Sequence, residues 1–256
     1  MLYQQTLEKL HAMKLTGIAD ALEEQRRNQN VAELSFEERL GLLVERQWLW
    51  RENRSLQTRL RLARLKMQAC VEDLDYRASR GLGRDVLEQM AAAEWVANRR
   101  CCLITGPAGA GKTYLACALA QQACRDGFRS IYFQAQKLFR DLATARCDGS
   151  LTRLLARITR AQLLVIDDLG LEKAGPDDYR DLLELIDDRH GTGATLITSQ
   201  YPVTAWHDLI GNPTVADALL DRLVHGAYRI DFTGVESMRK LRAREASTSN
   251  RKRSAG

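Results

Sequence analysis

Apolar residues recur at helical spacing through the first quarter of the chain and in short strand-length runs through most of the remainder. Leu2, Leu7, Leu10, Met13, Leu15, Ile18 and Leu22 lie three to five residues apart, which predicts helix over residues 2–30 with an interruption at Gly17. Ser35-Phe36-Glu37-Glu38 follows. A serine with a glutamate three positions on is a capping box, each side chain satisfying a backbone N–H that the first helical turn leaves without a partner. The helix it starts meets no proline and is expected to reach about Met67, with Phe36, Leu40, Leu43, Val44, Trp48, Leu56, Leu60 and Leu65 available for burial. At ~1.5 Å per residue it is about 45 Å long.

Between Cys70 and Gly83 the periodicity breaks, as expected of a linker. A short helix over residues 85–97 comes next. Strand-like runs at 101–105, 130–134, 163–167, 194–199 and 228–232 then alternate with helical patterns at 112–125, within 136–161, and at 177–189, 205–210 and 215–225. Five apolar strands separated by helices imply a parallel sheet covered on both faces. The expected organisation is an all-α N-terminal domain over residues 1–70, an α/β domain over 71–240, and a basic tail over 241–256, helical at first and disordered by Ser247.

The junction of the first strand with its helix carries the strongest chemical signal. Gly106-Pro107-Ala108-Gly109-Ala110-Gly111-Lys112-Thr113 is a complete G-x-x-x-x-G-K-T phosphate-binding loop in its strand-to-helix context. Its glycines let backbone N–H groups converge on an anion, and the helix adds its positive dipole end. Lys112 is expected to face ligand or solvent and reach the β- and γ-phosphates of ATP, with the Thr113 hydroxyl on Mg²⁺.

Leu163-Leu164-Val165-Ile166-Asp167-Asp168 is an apolar strand ending in two carboxylates, costly to bury without a cation. In the functional reading Asp167 holds Mg²⁺ through its water shell and Asp168 polarises the attacking water; in the bland one the pair caps a turn. Thr198, Ser199 and Gln200 close another strand at its carboxyl end, where open α/β sheets bind ligands, and one of them is a candidate to sense the γ-phosphate. Arg222 ends an amphipathic helix. It is either a surface arginine or a finger reaching a neighbouring subunit's nucleotide.

The net charge of +5 is concentrated in two segments. Arg51, Arg54, Arg59, Arg61, Arg64 and Lys66 stand against Glu52 alone, and residues 239–256 carry seven basic side chains against one acidic. Arg54 and Arg61 are two helical turns apart on one face, and Arg61 and Arg64 one turn, so Arg51, Arg54, Arg59, Arg61 and Arg64 are candidates to track a phosphate backbone. The alternatives are a solvated face, or pairing with acids of the second domain. Six cysteines form no C-x-x-C pair and read as buried thiols of a reducing compartment. With no membrane-length apolar run and no signal-peptide pattern, a cytoplasmic protein without membrane contact is expected.

Together these residues resemble an AAA+ ATPase, and more narrowly the IstB family of transposition helper ATPases, related to the DnaC helicase loaders. The resemblance spans almost the whole chain. It is carried by Leu34 to Leu40, Glu72-Asp73-Leu74-Asp75-Tyr76-Arg77, Gly106 to Leu119, Leu163 to Gly170, Thr198 to Pro202, and Leu220 to Leu223. It implies a sheet of order 5-1-4-3-2, ATP-dependent homo-oligomers on duplex DNA with little regard to sequence, delivery of that DNA to an IstA-type transposase, and disassembly on ATP hydrolysis. On that pattern Asp167 matches the metal carboxylate, Ser199 or Gln200 sensor 1, and Arg222 the finger, and Tyr76 joins the nucleotide-contacting residues. Asp168 stands where many AAA+ proteins carry glutamate, one methylene longer. A role for Arg239 as sensor 2 is weak, since too little chain follows for a full lid. A DnaC-like replicative helicase loader and, more remotely, a P-loop kinase are the competing readings.

Overall fold

The computed structural model describes residues 2–28, 31, 33–74, 84–172 and 174–233. Tyr76, Arg239, the end of the expected linker and the basic tail lie outside them. The chain divides into two compact units, Met1–Thr58 and Arg59–Gly256.

In the first unit, α1 (Leu2–Ala12) and α2 (Thr16–Arg27) precede α3 (Phe36–Ala63). The interruption expected at Gly17 falls earlier, at Met13 to Leu15, where Lys14 takes a positive φ of 59°. Gly17 instead lies inside α2 as a contact point. A Cβ there would stand 2.8 Å from Gln47 Cα and 2.9 Å from Trp50 Cβ. Only glycine admits that approach, which Gln47 secures by accepting the Ile18 N–H at 3.2 Å. With this face of α3 turned inward, Phe36, Leu40, Val44 and Trp48, four residues apart, are exposed and not buried as their spacing suggested. The capping box is present: Ser35 N–H donates to Glu38 at 2.8 Å and Glu38 N–H to Ser35 Oγ at 3.2 Å. The helix ends at Ala63, four residues before Met67, because Arg64 turns left-handed at φ 51°.

The second unit holds the sheet β1 (Cys101–Thr105), β2 (Ser130–Gln134), β3 (Leu163–Leu169), β4 (Ala194–Ser199) and β5 (Tyr228–Asp231), in the order β2-β3-β4-β1-β5, with every pairing parallel. This is the expected 5-1-4-3-2 arrangement. Alternate strand residues feed two cores. Leu103, Ile131, Phe133, Leu164, Ile166 and Ile197 meet α7 (Ala135–Cys147), α8 (Leu151–Thr159), α9 (Pro176–Arg189), α10 (Trp206–Ile210) and α11 (Pro213–Val224). Cys102, Ile104, Tyr132, Leu163, Val165 and Leu196 meet α4 (Arg84–Ala91), α5 (Glu94–Ala97) and α6 (Lys112–Arg125). The single helix expected over 85–97 is thus two, broken where Ala93 adopts φ 48°. Cys102, Cys117 and Cys124 are buried, whereas Cys147 is exposed; all six thiols are free.

Candidate nucleotide-binding and hydrolysis site

The phosphate-binding loop leaves β1 at Thr105 and enters α6 at Lys112. Gly106 has φ 139°, and a Cβ on it would collide with Phe232 Cβ at 2.6 Å. Gly111, at φ 104°, caps α6. Both positions exclude a side chain on backbone grounds alone, and they leave the first N–H groups of α6 free of side-chain caps. Lys112 is only 5% exposed and bends back to donate to Gly106 O at 2.7 Å and Pro107 O at 3.0 Å. Of the two surroundings expected for it, ligand or solvent, its burial leaves little of the second. Burial lowers the affinity of its amine for a proton, opposed by the charges of Asp168 and Asp167.

Asp167 is fully buried under three hydroxyl donors: Thr113 at 3.0 Å to both oxygens, Tyr132 at 2.6 Å and Thr198 at 2.6 Å. Alternation along β3 turns Asp167 toward α6, which brings it to Thr113, while Tyr132 arrives from neighbouring β2. Burial, then its hydrogen bond to Asp167, pushes the Tyr132 phenol well above its ordinary range, so it remains a donor.

The β3–β4 register shifts between Ile166 and Leu169, so that Asp167 and Asp168 share the interval that Thr198 spans alone. Asp168 takes a positive φ of 61°, a conformation that aspartate tolerates better than most residues. The Thr198 hydroxyl accepts its N–H at 2.9 Å, holding the kink. Burial and the charge of Asp167 raise the Asp168 carboxyl above its usual range, opposed by Lys66 and Lys112.

Lys66 itself lies 3.5 Å from Asp167 and 3.6 Å from Asp168. No sequence motif marks it, and only the path of the chain after α3 brings it here. Tyr132 was missed for a related reason: its partner becomes evident only once β2 is known to border β3.

Ser199 is buried and donates to Leu169 O at 2.8 Å, while Gln200 follows at partial exposure. Thr198 is the member of this trio that touches Asp167. Arg222 stands at the other end of the sheet. Its carbonyl accepts from the Cys101 thiol at 3.9 Å, its guanidinium pairs with Asp187, and Nη1 donates to Ala218 O at 2.8 Å. Along β1 the four intervals from Cys101 to Thr105, at ~3.3 Å each, set Cys101 about 13 Å from the start of the loop, beyond an arginine's reach. Among the candidate DNA contacts, Arg51, Arg54, Arg61 and Arg64 are exposed; Arg54 lies 5.0 Å from the centre of the Trp50 ring. Arg59 is partly buried and donates to Cys124 O at 2.7 Å.

The donor set suits a hydrated Mg²⁺: a threonine hydroxyl and a carboxylate in contact, beside a second carboxylate, with remaining positions left to water and phosphate. A family model described as IstB-like ATP binding protein matches residues 8–246. The chain belongs to the IstB-like ATP-binding family. Within that family it is 48% identical to an insertion sequence ATP-binding protein of Sinorhizobium fredii, over 96% of this chain and all of the relative. An insertion sequence ATP-binding protein of Pseudomonas fluorescens is 43% identical, over 79% of this chain and 88% of the relative. The fold of this IstB-like chain is shared with the DnaC helicase loader, at TM-score 0.53 and 20% identity, covering 64% of this chain and 97% of that one. It is also shared with AMPPCP-bound DnaA from Aquifex aeolicus, at TM-score 0.57 and 18% identity, covering 69% and 53%. No helix among the described residues is long and apolar enough to cross a membrane.

Proposed function

We propose that the chain is an AAA+ ATPase that assembles with ATP on duplex DNA, with little regard to sequence, and presents that DNA to the transposase of its insertion sequence. Its family membership and its relatives' insertion-sequence names support the setting. The observation that carries the chemistry is the convergence of Lys112, Thr113, Asp167, Asp168 and Thr198 at the carboxyl ends of β1, β3 and β4.

In this reading the loop N–H groups cradle phosphate oxygens and Lys112 exchanges its carbonyl partners for the β- and γ-phosphates. Thr113 and Asp167 hold Mg²⁺, which supplies charge neutralisation on the phosphates when bound. Asp168, set at an angle by the kink that Thr198 stabilises, accepts a proton from the attacking water. Arg222 completes a neighbour's site, since its own loop lies out of reach. Hydrolysis then loosens the interface and releases the DNA.

The test is ATP-dependent assembly of the purified chain on random duplex DNA, followed by sedimentation, with Lys112→Ala as control. Large assemblies that need ATP, duplex and Lys112 are expected. Recruitment of a replicative helicase without duplex assembly would support the loader reading, and phosphate transfer to a small acceptor the kinase.

A further inference from the structure

A groove of about 400 Å³ runs along β2 and the start of α7, beside the segment that follows α3. Arg59, Arg64, Arg129, Lys137, Arg157 and Arg160 line it together with Lys66, and Asp141 is the one carboxylate among its described lining residues. Ile131 and Phe133 give it an apolar floor, with the Arg157 guanidinium 6.0 Å from the centre of the Phe133 ring. A concave strip in which seven cations face a single carboxylate suits a phosphodiester backbone.

Lys66 belongs both to this groove and to the carboxylate pair. Its ammonium approaches Asp167 and Asp168 at 3.5 and 3.6 Å, yet its side chain is 42% exposed, whereas that of Asp167 is wholly buried. The backbone around it is anchored, because Leu65 and Ala69 on either side pack into the core cluster that holds Cys117 of α6. The side chain is therefore free to swing while the segment stays. Adjacent buried carboxylates require a cation, and when no divalent ion supplies one Lys66 is the nearest.

We propose that the groove binds the backbone of duplex DNA and that Lys66 is a cation shared between that backbone and Asp167/Asp168. DNA draws the ammonium off the carboxylates and frees them for a divalent ion. A divalent ion displaces the ammonium into the groove and strengthens the hold on DNA. The two effects are one coupling free energy and must be equal in size. This rests on the nucleotide-site and DNA-binding readings above and assigns them a physical link.

The experiment measures Mn²⁺ uptake by the chain with a non-hydrolysable ATP analogue, by electron paramagnetic resonance of the free ion, with and without a short random duplex. In the parent the duplex should tighten Mn²⁺ binding. Lys66→Met should tighten it by about two- to fivefold without DNA, the size of a partly exposed ion pair, and abolish the further effect of duplex. Arg157→Glu with Arg160→Glu should leave DNA-free uptake unchanged and remove the duplex effect. Weaker Mn²⁺ binding in Lys66→Met, or a duplex effect that survives in it, overturns the proposal. So does a duplex effect that is absent from the parent or persists after charge reversal in the groove. Absence of Mn²⁺ uptake by the parent itself defeats the nucleotide-site reading instead, and a parent that takes up Mn²⁺ but binds no duplex defeats the DNA reading.

Discussion

Thr198 joins the two acids of the site: its hydroxyl donates to Asp167 at 2.6 Å and accepts the N–H of Asp168 at 2.9 Å. One side chain thus orients the carboxylate assigned to the metal and holds the kink that aims the carboxylate assigned to water. Thr198→Val keeps the volume and β-branching but strands the partly buried N–H of Asp168. A loss of about 1–3 kcal/mol in denaturant unfolding is expected, with hydrolysis reduced by about tenfold for each 1.4 kcal/mol of lost positioning. Thr198→Ser should retain most of both. Equal losses in the two variants would assign Thr198 to packing alone.

The two aspartates should separate cleanly. Asp168→Asn is expected to bind Mg²⁺ and ATP as the parent does while kcat falls by about a hundredfold, the lower range for a lost general base. Asp167→Asn should weaken nucleotide binding in Mg²⁺ but not in EDTA, since its buried carboxylate is the one in contact with Thr113. Titration with a fluorescent ATP analogue in both conditions, alongside steady-state turnover, checks this. Equal effects on affinity would show that the division of labour is wrong.

Arg222 provides a prediction that depends on assembly. Because a strand length separates it from its own loop, Arg222→Ala should leave nucleotide binding by single subunits intact and lower assembled turnover by about 10³. Mixed with Lys112→Ala in equal amounts, about one interface in four pairs an intact loop with an intact finger, so activity should return in the mixture. Mixtures as inactive as either variant, under demonstrated subunit exchange, would remove the trans role.

Charge reversal at Arg54 and Arg61 tests the contribution of α3 to DNA binding. Both side chains are exposed. Arg54→Glu/Arg61→Glu should weaken binding to all duplex sequences alike and flatten the plot of log K against log salt by about 0.9 for each phosphate that is no longer neutralised. ATP binding without DNA should be unchanged. An unaltered slope would move the DNA-binding surface elsewhere, with the groove beside β2 the next place to look.

The fold was legible to a high degree because its signals are local. Strand-length apolar runs, a capping box and a glycine pattern that only a phosphate loop requires are each written within a few residues, and the structure places β1, β2 and β4 over the very residues their patterns marked. The failures are equally instructive. Phe36, Leu40, Val44 and Trp48 carry helical spacing yet point outward, since the choice of buried face was made by Gly17 and Gln47 meeting across two helices. Periodicity reports that a helix has an apolar stripe; it does not report what covers it.

The sequence by itself determined which groups this protein has for chemistry: Lys112 and Thr113 on a phosphate loop, and Asp167 and Asp168 at a strand end. Only the tertiary structure decided their company. Sheet order brought Tyr132 and Thr198 to Asp167 from strands on either side, a register shift bent Asp168 away from it, and the chain's path after α3 delivered Lys66 to both. A motif is read along the chain, where neighbours are covalent. The environment of a buried charge is read across it, from residues as far apart in sequence as Lys66 and Asp167, which stand 101 positions from one another.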